Sequence, residues 1–138
     1  MEYHATATIH ASPKVLWDLL TDAAHYPDWN PTVVRVDGTI ALGQKITVVA
    51  TVSPERTFPV TVAEFEPQRR MVWQGGLPLG LFRGVRTFTL TESAPGTTTF
   101  TMREVFSGPL LGLIRRSMPN QQPSFDEFAR SLKLRAEG

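Results

Sequence analysis

Residues 82–107 read FRGVRTFTLTESAPGTTTFTMREVFS, two runs of alternating side chains joined by the turn-forming residues 93–97. Alternation with a period of two is typical of β-strands, and a short loop makes the two strands antiparallel. If a five-residue loop joins the strands, three pairs of residues lie opposite each other on one face of the hairpin: Leu90–Phe100, Phe88–Met102 and Arg86–Glu104. Because two of these pairs are apolar, this face is expected to point inward. The stretch therefore predicts a hairpin in which Arg86 and Glu104 point together into the interior.

The chain before this hairpin predicts five more strands by the same alternation. They cover residues 3–9, 33–36, 45–52, 58–65 and 70–75. Turn-forming pairs such as Asp-Gly at 37–38 and Glu-Pro at 66–67 separate them, so neighbouring strands are again antiparallel. In the first strand, His4 and His10 fall on the outward face. The prediction is a sheet of seven antiparallel strands.

Helical periodicity appears at both ends of the chain. Ser12 followed by Pro13 is a typical helix start, and two short helices are expected before the second strand. At the C-terminus an apolar stripe with helical spacing is formed by Phe125, Phe128, Ala129, Leu132 and Ala136. We therefore expect one long C-terminal helix to cover the sheet. The glycines between residues 75 and 84 predict a flexible loop that could close over a site.

Composition is that of an ordinary globular protein, and residues 1–138 are interpreted as one domain. The chain has 41% hydrophobic and 20% charged residues and a formal charge of +1. Its basic residues are scattered, so no nucleic-acid partner is expected. There is no cysteine, and neither a metal-binding nor a phosphate-binding motif occurs. No metal and no cofactor are therefore predicted.

The N-terminal residues show neither the basic segment nor the apolar segment of a signal peptide. The longest nearly apolar stretch, residues 108–114, is far too short to span a bilayer. We therefore expect a cytoplasmic protein that does not insert into membranes.

Four segments together resemble one known superfamily. They are residues 11–22 (ASPKVLWDLLTD), 26–31 (YPDWNP), 97–108 (TTTFTMREVFSG) and 125–137 (FDEFARSLKLRAE). In order and spacing they are similar to the SRPBCC superfamily, which includes START-like, polyketide cyclase/dehydrase-like and birch-pollen-allergen-like domains. The resemblance implies an α+β helix-grip fold: a curved seven-stranded antiparallel sheet wrapped around a long C-terminal helix, with two short helices between strands 1 and 2. It also implies a deep internal cavity, which different members use to carry lipids, bind plant hormones or convert polyketides.

Alternation and the resemblance together nominate the residues that line such a cavity. The candidate ligand-binding residues are Tyr26, Trp29, Met71, Trp73, Arg86, Phe88, Leu90, Phe100, Met102, Glu104, Phe106, Phe125 and Phe128. A charge buried alone is costly, so Arg86 and Glu104 should be paired. Three interpretations of the pair stay open: a salt bridge with a purely structural role, an anchor for the polar end of a ligand, or a catalytic pair. In the last case Glu104 would be the base and Arg86 its electrostatic partner, because arginine does not give up its proton near neutral pH.

The sequence limits the possible functions to three hypotheses but does not choose among them. The first hypothesis is binding of a small hydrophobic molecule, such as a lipid, a polyketide or a quinone-like compound. The second is an enzyme of the polyketide cyclase/dehydratase type that uses Glu104 and Arg86. The third is a macromolecular interaction module, for which the basic residues Arg115, Arg116, Lys133 and Arg135 are the only candidates. The oligomeric state is not predicted.

Overall fold

Seven β-strands and four α-helices make up the fold in a computed structural model, which describes residues 1–138. The strands are β1 (Glu2–Ile9), β2 (Val33–Asp37), β3 (Lys45–Ala50), β4 (Phe58–Glu66), β5 (Arg70–Gly76), β6 (Arg83–Ala94) and β7 (Thr97–Ser107). The helices are α1 (Pro13–Thr21), α2 (Tyr26–Trp29), α3 (Leu111–Ile114) and α4 (Gln122–Glu137). Short 3₁₀ turns lie at Ala23–His25, Pro78–Gly80 and Arg115–Ser117.

The strands form one antiparallel sheet in the order β1-β7-β6-β5-β4-β3-β2. Strands β2 to β7 each pair with their neighbour in sequence, and β1 completes the sheet by pairing with β7. Short loops connect β2 to β7, whereas the step from β1 to β2 crosses the sheet through α1 and α2. The predicted α+β helix-grip fold is therefore confirmed.

The β6–β7 hairpin has the predicted register but a different turn. Arg86 is paired with Glu104, as the alternation requires. The turn itself consists of two residues, Pro95 and Gly96, and Gly96 takes the left-handed conformation with a φ of 75°. A bulge at Ser93 absorbs the extra residue, so the pairing beyond it is the same as for a five-residue loop.

Helix α1 begins where the sequence indicates. The backbone N–H of Val15 donates a hydrogen bond to the side-chain oxygen of Ser12 at 3.3 Å, and Pro13 occupies the first helical position. Leu16 and Leu20 are fully buried on the face that packs against the sheet. The helix thus contributes its apolar stripe to the core.

Helix α4 lies across the concave face of the sheet and packs mainly beside β1. Phe125, Phe128 and Leu132 are buried on its inner face. The ring of Phe128 stacks on that of Phe100, with the ring centroids 6.1 Å apart. This half of the concave face is therefore filled with packed side chains.

Candidate ligand-binding cavity

A cavity of about 810 Å³ lies between the sheet and the N-terminal turn of α4. Its walls come from the start of β4, the end of β5, the start of β6 and the end of β7, together with residues 114–121. Exposed side chains from residues 52–58 and 114–121 belong to the lining, so the cavity opens to the surface between these two segments. Its size falls within the usual range of ligand sites, roughly 300 to 1,000 Å³.

Two glycines make room for this cavity. Gly75 and Gly84 lie opposite each other in β5 and β6, on the concave face, with Val60 and Phe106 as their outer neighbours in the same row across the sheet. A Cβ atom on Gly84 would lie 3.1 Å from the ring of Phe106, and one on Gly75 only 2.8 Å from a backbone oxygen of β4. The sheet therefore presents bare backbone where other rows present large side chains. These glycines were expected in a flexible loop, but both are paired residues within strands of the sheet.

The next row inward carries the predicted charge pair. Trp73, Arg86 and Glu104 are consecutive in register across β5, β6 and β7, and all three line the cavity. The Nε of Arg86 donates to Oε1 of Glu104 at 2.5 Å, and the two side chains are 21% and 14% exposed. The guanidinium carbon also lies 4.8 Å from the centre of the Phe125 ring. The pair therefore stands at the boundary between the open cavity and the packed core.

Both members of the pair keep unused hydrogen-bonding capacity. The Arg86 side chain makes no hydrogen bond within the protein other than the one from Nε, so its terminal N–H groups are available. The second carboxylate oxygen of Glu104 likewise has no hydrogen-bond partner. A polar group of a bound molecule could therefore contact either side chain without breaking their mutual bond.

The structure divides the nominated residues into two groups. Seven line the cavity: Trp73, Arg86, Met102, Glu104, Phe106, Phe125 and Phe128. Six lie in the packed core beyond the charge pair: Tyr26, Trp29, Met71, Phe88, Leu90 and Phe100. Contact between any of these residues and a ligand stays a prediction.

Tyr26 has a structural task in this core. Its hydroxyl donates to the backbone oxygen of Leu20 at 2.6 Å, one of the last carbonyls of α1, which have no partner inside the helix. Burial strongly raises the pKa of the Tyr26 phenol, so it stays neutral. Its ring is 5.1 Å from that of Trp29, measured between centroids. Tyr26 and Trp29, which were expected to line the cavity, are therefore part of the packed interior.

His25, the histidine just before Tyr26, lies outside the cavity. Its Nδ1 is 2.8 Å from a carboxylate oxygen of Asp22, and this hydrogen bond raises the pKa of the imidazole. Both side chains are at least half exposed. No three histidine, aspartate or glutamate side chains in the molecule converge closely enough to hold a metal ion.

Two parts of the cavity wall were missed by sequence reasoning. Ala50 and Phe58 line it from β3 and β4, and Ile114 and Met118 line it from the segment before α4. Val48, which the alternation of β3 places inward, also lines the cavity. Nothing in the sequence of residues 114–118 indicates which strands that segment approaches.

Comparison with known proteins agrees with this architecture. Residues 1–137 match the model of a family described as polyketide cyclase / dehydrase and lipid transport. The chain belongs to this family. No curated protein matches the sequence significantly.

Solved structures share the polyketide cyclase/dehydrase fold at low sequence identity. A Mesorhizobium loti protein is 22% identical, with a TM-score of 0.74 over 97% of this chain and 95% of its own. A START superfamily protein from Mycobacterium smegmatis is 14% identical, with a TM-score of 0.72 over 99% of this chain and 97% of its own. The di-domain ARO/CYC protein BexL is 18% identical, with a TM-score of 0.70 over 97% of this chain and 45% of its own. These likenesses establish a START-like fold.

None of the helices is both long enough and apolar enough to cross a bilayer.

Proposed function

We propose that the protein binds a small hydrophobic molecule in the cavity, with a polar group of that molecule against Arg86 and Glu104. The observation that supports this most strongly is the position of the pair: two half-buried charges with unused hydrogen-bonding groups in the wall of a cavity of about 810 Å³, half of whose lining residues are hydrophobic. Ligand sites are commonly apolar with a few placed polar groups that fix orientation. The family description, which includes lipid transport, is consistent with such a role.

The free N–H groups of Arg86 define the chemistry of the ligand. They are donors, so the ligand should carry an acceptor such as a carboxylate, a carbonyl or a phenolate. Phe125 and Phe128 from α4 would contact its apolar part, since both side chains line the cavity. A fatty acid, a polyketide or a quinone-like compound meets this description.

Two fluorescent probes of almost the same shape test the proposal. Anilinonaphthalene sulfonate carries an anionic group that phenylnaphthylamine lacks. Wild-type protein should bind the sulfonate more tightly, and Arg86→Met should remove this preference, lowering sulfonate affinity about tenfold or more while leaving the neutral probe nearly unchanged. Arg103→Met is the matched control, because Arg103 is exposed on the opposite face of β7, one residue from Glu104.

A second variant locates the probes in the cavity. Val48→Trp adds a large side chain to the lining at a half-buried strand position. It should weaken both probes if the cavity is their site. Equal binding of both probes to wild type and Val48→Trp would contradict the proposal. Native mass spectrometry of freshly purified protein would then show whether any small molecule remains bound.

An enzyme that acts on the same class of molecule is the second candidate. Glu104 favours it, because its second carboxylate oxygen faces no partner and is free to accept a proton. The family description also includes polyketide cyclases and dehydrases. In that case Glu104→Gln should abolish turnover of a polyketide while leaving probe binding intact. Turnover that survives Glu104→Gln would remove Glu104 from the catalytic role, and a wild-type protein that shows no turnover would leave binding without catalysis as the function.

The third alternative, a macromolecular interaction module, has less support. Of the four basic residues on which it rests, Lys133 donates to the backbone oxygen of Thr8 and to Glu137. It therefore belongs to the contact between α4 and β1. A cytoplasmic location also stays a prediction, and cell fractionation would test it.

A further inference from the structure

Exposed leucines are concentrated beside the mouth of the cavity. They lie in two neighbouring segments, residues 77–82 and 108–116, where the backbone N–H of Leu110 donates to the oxygen of Leu81 at 2.9 Å. We refer to the four exposed side chains of Leu77, Leu79, Leu81 and Leu113 as the leucine surface. Leu77 also lines the cavity, so this surface continues into the opening.

Leu79 is the most conspicuous member of the leucine surface. It is 96% exposed at the tip of the turn Pro78–Gly80. Its backbone has a φ of 62°, a conformation that leucine disfavours and that glycine, asparagine or aspartate adopts more easily. Neither packing nor backbone geometry within the protein therefore explains a leucine at this position. An apolar partner outside the protein would explain it.

The two chain segments around the leucine surface carry charges of one sign only. Residues 76–91 and 105–125 contain four arginines and no acidic residue, whereas the rest of the chain contains ten basic and thirteen acidic residues. Arg83, Arg115 and Arg116 are exposed, and no carboxylate pairs with any of them. These two segments are therefore positive, whereas the remainder of the chain has more acidic than basic residues.

We propose that the leucine surface docks on an anionic lipid membrane, with the leucines among the acyl chains and the three arginines at the headgroups. Cationic side chains next to an acidic bilayer each strengthen binding, and long arginine stems reach the headgroups while their apolar part stays buried. A protein partner fits less well, because the hot spots of such interfaces are enriched in tryptophan and tyrosine, which the leucine surface lacks, and seldom include leucine. Docking would bring the cavity mouth to the bilayer, but it does not depend on the proposed function, since an empty protein would dock as well.

Vesicle co-sedimentation tests this proposal. The probes are vesicles of phosphatidylcholine alone and of equal parts phosphatidylcholine and phosphatidylglycerol. Wild-type protein should bind the anionic vesicles and be released by salt. Leu79→Asp should lower binding about tenfold, because it removes a leucine that enters the acyl chains and adds repulsion. Arg115→Gln and Arg116→Gln should each lower it about fivefold.

The chain offers a matched control. Leu42 is 62% exposed in the turn between β2 and β3, away from the cavity mouth, and Leu42→Asp should bind vesicles like wild type. Aspartate is tolerated in a left-handed conformation, so Leu79→Asp should keep the wild-type melting temperature. Failure of wild type to bind either vesicle, or equal loss in Leu79→Asp and Leu42→Asp, would overturn the proposal. A dimer that forms without lipid and disappears in Leu79→Asp would instead assign the surface to a second copy of the chain.

Discussion

The energetic coupling between Arg86 and Glu104 can be measured with a double-mutant cycle. Arg86→Met keeps the methylene stem but removes the charge, Glu104→Leu removes the carboxylate, and the double variant removes both. Breaking a fully buried pair costs about 3–5 kcal/mol, and an exposed pair is worth about 0–1 kcal/mol. The two side chains are 21% and 14% exposed, so their pair lies between these limits. We expect each single substitution to lower the free energy of unfolding by about 2 kcal/mol.

The double variant should be nearly as stable as either single one, which corresponds to a coupling energy of about 2 kcal/mol. The contact of Arg86 with Phe125 is lost in both Arg86 variants and therefore cancels in the cycle. Urea unfolding followed by tryptophan fluorescence gives the four free energies. The same cycle on Glu2 and Arg103 is the control: they form an exposed pair at 2.7 Å on the outer face and should show no measurable coupling.

Additive effects at positions 86 and 104, within about 0.5 kcal/mol, would refute this reasoning. The charges would then be solvated independently by water in the cavity. In that event the pair could not serve as a fixed polar anchor in the cavity wall.

Three further predictions follow from the packing and the titrating groups. Tyr26→Phe should lower the free energy of unfolding by about 1–3 kcal/mol, because it leaves the buried backbone oxygen of Leu20 without a donor; urea unfolding measures this, and an unchanged midpoint would contradict it. Gly75→Ala should lower the melting temperature, since the new Cβ would lie 2.8 Å from a backbone oxygen of β4 that cannot move aside. An NMR titration should find that the pKa of His25 is higher in the folded protein than in the unfolded chain. The ion pair with Asp22 therefore stabilises the fold fully at a pH below the unfolded pKa, and this stabilisation disappears as the pH rises through the folded pKa. Asp22→Asn should remove the upward shift of the His25 pKa.

Local sequence determined the hairpin on which the site is built. Side chains two positions apart on a strand share a face, and the turn between β6 and β7 sets which residues are opposite. For this reason Arg86 and Glu104 could be placed together inside the molecule from the sequence alone. The same local rules predicted the start of α1 at Ser12 and the buried stripe of α4.

Only the tertiary structure decided where the interior is filled and where it is open. Gly75 and Gly84 are nine residues apart in the chain, and they form one gap because β5 and β6 align them across the sheet. Tyr26 is in the packed core rather than in the cavity wall because its hydroxyl reaches the end of α1. Leu79 is exposed beside the cavity mouth because residues 108–110 fix the loop that carries it. These outcomes depend on contacts between distant segments, and no pattern within a single strand or helix encodes them.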